Sequence, residues 1–399
     1  MFMNFRRIHK CQCVQLLTTG LLLCVVMVCW EELDHHVVSH VRSYSYRYLD
    51  NSYDFVNSSF AITTNRGHNR RSGSSHLVDG GFVSYPYLIN HPCKCKAADE
   101  KTWEEVLLLL FVKSSPENFE QRQAIRDSWG NQSFAQSEMG ASVRVLFAVG
   151  VPSDVLQRSS VQKALLHEDQ AYGDLIQQDF VDTFHNLTTK LILQFHWVHQ
   201  YCPQADFLMS ADDDIFVHMP NLLKYLSHLK SSQAGARDVW VGHVHRGAPP
   251  VRRKDSKYYV PYELYPWASY PDYTSGAGYV VSGDVAAKIY QATLLLNTSM
   301  YIDDVFMGIC AKAMGVSPQE HVYFSGEGKT PYNPCIYDRM ITSHGHITDV
   351  RFLWQSVTGH EAYRHSKGFL SNLYCTAVKV MLLCRPHYQN TYSCMAAFS

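Results

Sequence analysis

Three aspartates stand in a row at Asp212-Asp213-Asp214. Adjacent carboxylates repel one another and lose solvation when partly buried, so a cation is their natural compensation. Carboxylate oxygens suit Mg2+ or Mn2+. In an extended segment the acids at i and i+2 point to one side, so Asp212 and Asp214 can face one site. An ion there could offset the charge on a departing diphosphate. A solvated acidic turn or a helix cap is the plain alternative. The apolar stretches Ala205–Ala211 and Ile215–Val217 bury the flanks and bring the site reading level with that alternative.

A second acidic pair, Asp303-Asp304, lies inside the apolar run 301–308. An acid held among apolar groups has a raised pKa, toward values useful for a general base. The same pair could cap a helix running through Cys310 and Met314, and one acid can cap while the other reaches a substrate. The stretch 270–279 joins aromatics to Gly276 and Gly278, where backbone can approach a ligand closely. A tight turn explains it as well. Arg122 and Arg126, four apart on one helix face, could contact a nucleotide's phosphates or could be ordinary surface charges. His344 and His346 could each supply a nitrogen ligand; their positions alone do not choose between them.

These groups need a scaffold. Residues 106–113 are a continuous apolar run, the pattern of a strand buried on both faces. Strands are likewise predicted at 143–149, 175–180, 205–211 and 279–282. Helices are predicted at 120–129, 156–170 and 187–201, with a Pro-headed start at Ser114–Glu117. Alternating strands and helices argue for an α/β fold with a mainly parallel sheet. Ligands of such sheets sit off the carboxyl ends of strands, where the triple aspartate falls.

The remainder of the 399 residues sets the context. A net charge of −1 gives no reason to expect nucleic acid. Basic Arg6, Arg7 and Lys10 precede an apolar run, and acids follow it. This predicts a cytosolic tail at 1–13 and a membrane anchor at 14–30, with the rest lumenal. A cleaved signal peptide is the competing reading, but no A-x-A-like site follows the run. Residues 31–100 read as a polar stem, 101–365 as a catalytic domain and 366–399 as a cysteine-bearing extension. Sequons at Asn57, Asn131, Asn186 and Asn297 agree with a lumenal chain. Eight of the 12 cysteines follow the anchor, an even number that suggests disulfides rather than zinc.

Five motifs fall in order: residues 122–130 (RQAIRDSWG), Asp182 with 186–190 (NLTTK), 211–216 (ADDDIF), Tyr270-Pro271 with 276–279 (GAGY), and 303–305 (DDV). Together they resemble the β-1,3-galactosyltransferase family, glycosyltransferase family 31, over roughly residues 105–350. The resemblance implies a GT-A-like nucleotide-sugar transferase fold and an inverting single displacement. It implies Asp214 and His344 as metal ligands, Asp212 and Asp213 in the metal and ribose surroundings, and Arg122 and Arg126 at the donor. Asp304 would be the base, and Tyr270, Gly276, Gly278 and Asp303 would line the acceptor or donor loop. Asp303 is one methylene shorter than the family's glutamate, and Gln121 replaces the first Arg of its Arg-Arg pair. Likeness in 38–57, in 323–337 and in the tail from Lys367 narrows the family to members that transfer GlcNAc. That implies a UDP-GlcNAc donor, a galactose-ended glycolipid such as lactosylceramide as acceptor, and a Golgi membrane location. A galactosyltransferase using UDP-Gal, a silent glycan-binding membrane protein and a glycosidase are the rival readings.

Overall fold

A computed structural model describes residues 78–79, 82–83, 85–97, 102–232, 235–296, 299–330, 332–359, 369–384 and 391–398. The chain divides into two units, Met1–Asn51 and Ser52–Ser399, and every described element belongs to the second. The anchor expected at 14–30, most of the stem, and the sequons at Asn57 and Asn297 lie outside the described residues. Among the described residues no helix is long and apolar enough to cross a membrane.

Fourteen strands are described. They are β1 (Val78–Asp79), β2 (Phe82–Val83), β3 (Tyr87–Ile89), β4 (Leu108–Lys113), β5 (Val143–Val151), β6 (Leu175–Val181) and β7 (Phe207–Asp212). Then come β8 (Phe216–Val217), β9 (Trp240–Gly242), β10 (Val244–His245), β11 (Tyr273–Thr274), β12 (Gly278–Ser282), β13 (Gln319–Glu320) and β14 (Thr342–Ser343). The main sheet runs β13-β9-β12-β7-β4-β5-β6-β3. The β7-β4-β5-β6 core is parallel, whereas β12 and β3 run antiparallel to their neighbours. The sheet is thus mainly parallel, with two reversed strands. All six residues of β4 are buried, as its unbroken apolar run dictates for a central strand.

Helices α1 (Phe119–Arg126), α2 (Gln132–Met139), α3 (Arg158–Tyr172), α4 (Leu187–Tyr201) and α5 (Met219–Ser231) fill the first crossovers. Helices α6 (Gly283–Leu295), α7 (Asp303–Ala313), α8 (Pro334–Tyr337), α9 (Val350–Thr358) and α10 (Phe369–Leu383) follow. Helix α1 stops before the predicted 129, because the amides of Ser128 and Gly130 both turn back to the Ile125 carbonyl. Trp129 is still buried.

Two expectations change. The sheet reaches back into the segment read as stem: β3 pairs with β6, and Cys95 is disulfide-bonded to Cys202. Nor are all eight cysteines paired. Cys335–Cys375 and Cys384–Cys394 complete three bridges, leaving Cys93 exposed and Cys310 buried in α7 as a small apolar group. The extension packs on the core: Val378 and Leu383 of α10 are buried, and so is Tyr392 beyond it.

Candidate active site

The parallel register sets Lys113, the last residue of β4, beside Asp212, the last residue of β7. Both lie at the carboxyl ends of central strands. The chain then turns through Asp213 and Asp214 into β8. Strand β14 pairs antiparallel with β8, matching Thr342 to Val217 and Ser343 to Phe216. This pairing carries His344 back to Asp214, with His344 Nε2 3.3 Å from Asp214 Oδ1. The His346 amide also donates to the Asp214 carbonyl, at 2.6 Å.

Asp212, Asp214 and His344 each offer a ligand atom within 4.8 Å of the others. His344 Nδ1 is buried without a hydrogen-bond partner among the described residues, and Asp214 Oδ1 has only the 3.3 Å contact with His344 Nε2. Such groups are costly to leave unsatisfied, and a cation would satisfy the carboxylate. Two carboxylates and one imidazole fit Mn2+ better than an all-oxygen Mg2+ shell. Burial raises the Asp214 carboxyl, but the hydrogen bond from His344 outweighs it and holds the pKa low. The same bond raises His344 above the ordinary histidine value against the pull of burial.

His346 is differently placed. Its Nε2 lies 2.8 Å from Ser343 Oγ and 3.2 Å from the Tyr337 hydroxyl, and its Nδ1 lies 3.1 Å from Asp349. Both nitrogens are engaged in holding the loop. Asp213 points away from the triad and accepts from Ser114 Oγ at 2.7 Å and Asn118 Nδ2 at 2.9 Å.

Lys113 is the hub that the sequence reading missed; its signal was a lysine closing a buried run. Its Nζ lies 3.0 Å from Asp212 Oδ1 and 2.8 Å from Asp303 Oδ2, and it donates to the Gly276 carbonyl at 3.1 Å. Burial opposes its charge, yet Asp212 and Asp303 outweigh burial and raise its pKa well above the ordinary lysine value. Asp303 and Asp304 open α7, so the pair does begin a helix. Asp303 is buried and tied to Lys113. Asp304 is partly open, and its Oδ1 accepts from the Val305 amide at 2.7 Å. Burial first, and then the Asp303 charge, push the Asp304 carboxyl up to about 7.

Gly276 lies against this pair: a Cβ there would sit 3.4 Å from Asp304 Cβ and 3.6 Å from Lys113 Nζ. At Gly278 a Cβ would come 2.7 Å from Ile215 Cδ1, so a side chain there would have to push the end of Ile215 aside. Tyr270 is buried with its hydroxyl unpartnered, against the Tyr265 and Tyr273 rings. Arg252 ties this loop by donating to the carbonyls of Val260, Tyr265 and Trp267.

The two predicted donor arginines do not meet the carboxylate cluster. Arg122 is wholly buried, and its five N–H groups go to Glu168 twice, Ser114 Oγ, Ser115 O and Pro116 O. That leaves no donor for a nucleotide and corrects its expected role. Arg122 positions the Ser114–Pro116 turn, which in turn holds Asp213. Arg126 binds Glu168 and Asp174 and stacks on Tyr172, 4.1 Å from the ring. The sequon residues Asn131 and Asn186 are structural as well. Asn131 accepts the Phe134 amide as the cap of α2, and Asn186 donates to the Val181 carbonyl.

Residues 120–322 match the family described as galactosyltransferase. Over 399 residues, all of both chains, the protein is 60% identical to the zebrafish (Danio rerio) lactosylceramide 1,3-N-acetyl-beta-D-glucosaminyltransferase A. It is 52% identical over 398 residues to the human lactosylceramide 1,3-N-acetyl-beta-D-glucosaminyltransferase, covering 100% of this chain and 99% of that one. It is 54% identical over 399 residues, again all of both chains, to the Xenopus tropicalis protein of the same name.

Proposed function

Since the chain belongs to the galactosyltransferase family, we propose that it transfers GlcNAc from UDP-GlcNAc, in β-1,3 linkage, to the terminal galactose of lactosylceramide and related glycolipids. The names of the full-length relatives support the acceptor and the transferred sugar. One observation carries the chemistry. Asp304, a carboxyl raised to about 7, lies beside Asp303, which Lys113 joins to Asp212 of the Asp212, Asp214 and His344 triad.

The reaction is a single displacement. Ionised Asp304 takes the proton of the galactose 3-hydroxyl. That oxygen bonds to the anomeric carbon of GlcNAc from the face opposite the diphosphate, so the configuration inverts. The bond from that carbon to the UDP oxygen breaks, and its electron pair leaves with UDP. A carboxyl with a pKa near the working pH suits this work, typically contributing ~10²–10⁴-fold. Mn2+ held by Asp212, Asp214 and His344 would supply positive charge to the leaving diphosphate. Lys113 fixes the two acids on either side of it, Asp212 and Asp303, in one arrangement. The Gly276 backbone keeps the space beside Asp304 free of side chains. The anchor at 14–30 would hold the domain at the Golgi membrane, the surface that bears a glycolipid acceptor.

The test uses the detergent-solubilised full chain with Mn2+, lactosylceramide and either UDP-GlcNAc or UDP-Gal, following acceptor mass. Gain of one GlcNAc, abolished by EDTA, is the expected result. Gain of galactose instead would overturn the donor, and transfer undiminished by EDTA would overturn the metal.

A further inference from the structure

The loop that bears His344 is braced from an unexpected quarter. On one edge β14 pairs with β8. On its other edge the Thr342 amide donates to the Tyr323 carbonyl, and the Thr342 carbonyl accepts the hydroxyl of Tyr392. Tyr392 is fully buried. Its neighbour Thr391 ties the adjoining segment: its Oγ1 donates to the Glu327 carbonyl at 2.7 Å, and its own carbonyl accepts the Gly326 amide at 2.9 Å. Two bridges anchor this strap. Cys335–Cys375 fastens α10 to α8, and Cys384–Cys394 ties the residue after α10 to a position two residues past Tyr392. None of these groups belongs to the metal triad.

We infer that Tyr392 is a positioning residue for the metal site, acting through the Thr342 carbonyl to hold β14, and with it His344, in register against Asp214. The inference deepens the proposed function and rests on its metal reading. A two-residue strand pair has few hydrogen bonds of its own, and His344 lies two residues beyond the braced carbonyl. Freeing that carbonyl lets β14 shift. An imidazole held at 3.3 Å from Asp214 then loses its fixed place. Groups that orient metal ligands commonly affect affinity as well as activity.

The experiment measures Mn2+ binding to the full chain without substrates, from the paramagnetic resonance signal of free Mn2+. Unaltered protein is compared with Tyr392→Phe, His344→Ala and the double variant Cys384→Ser/Cys394→Ser. Tyr392→Phe removes one oxygen and keeps the buried ring. Mn2+ affinity about fivefold weaker is expected, the loss of one hydrogen bond's worth of fixed geometry. The Tm in EDTA should fall by a few degrees, since a buried carbonyl loses its partner, and kcat should recover at saturating Mn2+. The Cys384→Ser/Cys394→Ser protein should shift in the same direction. His344→Ala reports on the underlying reading. If it binds Mn2+ as tightly as the unaltered chain, the metal reading falls and this inference with it. If His344→Ala binds weakly while Tyr392→Phe binds normally, the inference alone is overturned. A lowered Tm for Tyr392→Phe with unchanged Mn2+ affinity would make Tyr392 merely structural and overturn it too.

Discussion

Asp304→Asn should inactivate the enzyme and stabilise the protein. The asparagine is isosteric, and its oxygen can still accept the Val305 amide, so the start of α7 is kept. It cannot take a proton. Loss of the base should lower kcat by roughly 10²–10⁴-fold, or about 2.7–5.5 kcal/mol on the barrier. The stability effect has the other sign. A carboxyl raised from 3.8 to about 7 holds its proton more tightly folded than unfolded. Between those values the unfolded chain ionises first, so stability falls as pH rises and the penalty is complete above about 7. Full ionisation in the folded state costs roughly 4 kcal/mol at 1.36 kcal/mol per tenfold, and about 2 kcal/mol once partial exposure is allowed for. Asp304→Asn removes this penalty. Its Tm in EDTA should therefore match the parent near pH 4 and exceed it by several degrees at pH 8. The assay pairs thermal unfolding at those two pH values with acceptor mass at saturating UDP-GlcNAc. A variant that transfers within tenfold of the parent, or that is less stable than the parent at pH 8, would refute the assignment.

Lys113→Met leaves the buried Asp303 and the partly exposed Asp212 without their counter-charge. It should cost about 3–5 kcal/mol at pH 8 and less at pH 5, because burial raises the Asp212 carboxyl and lets it protonate sooner; denaturant titration at both pH values checks it, and equal losses would implicate packing instead. Arg122→Lys loses the two-pronged grip on Glu168 and should lower stability by roughly 2–4 kcal/mol while KM for UDP-GlcNAc stays within twofold. A well-folded variant with a much higher KM would restore a donor contact to Arg122. Asn131→Gln and Ser133→Ala both remove a sequon, but only the first loses the α2 cap, worth about 1 kcal/mol. Equal Tm values for the two variants would contradict the cap.

Much of this arrangement is legible in the residues because it is local. An unbroken apolar run such as that of β4 is a central strand, and a triple aspartate after another strand falls at a carboxyl end. Asp303 and Asp304 combine helix start and perturbed acid, as short-range chemistry allows. What was not legible depends on register between distant segments. His344 and His346 are equivalent in the sequence; only the β14–β8 pairing turns one toward Asp214 and locks the other between Ser343 and Asp349. Lys113 reads as the ordinary end of a strand until β7 sets Asp212 beside it and α7 brings Asp303. Arg122 looked like a surface charge free for a nucleotide because its partner Glu168 lies a whole strand and helix away. Disulfide partners carry the same long-range information, which is why Cys310 could not be told from the paired cysteines.

The tail strap has a consequence for synthesis in the cell. The functional groups emerge in the order Lys113, Asp212, Asp304, His344, and Tyr392 comes after all of them. Domains fold largely as their residues appear. The sheet can form while the chain is still growing, but the loop that carries His344 cannot be braced until Tyr392 arrives and Cys384 has oxidised with Cys394. A nascent or tail-truncated chain would carry the whole sheet and every catalytic group, yet hold His344 loosely. The order of emergence thus keeps the site unfinished until residues 391–394 have followed the catalytic groups out.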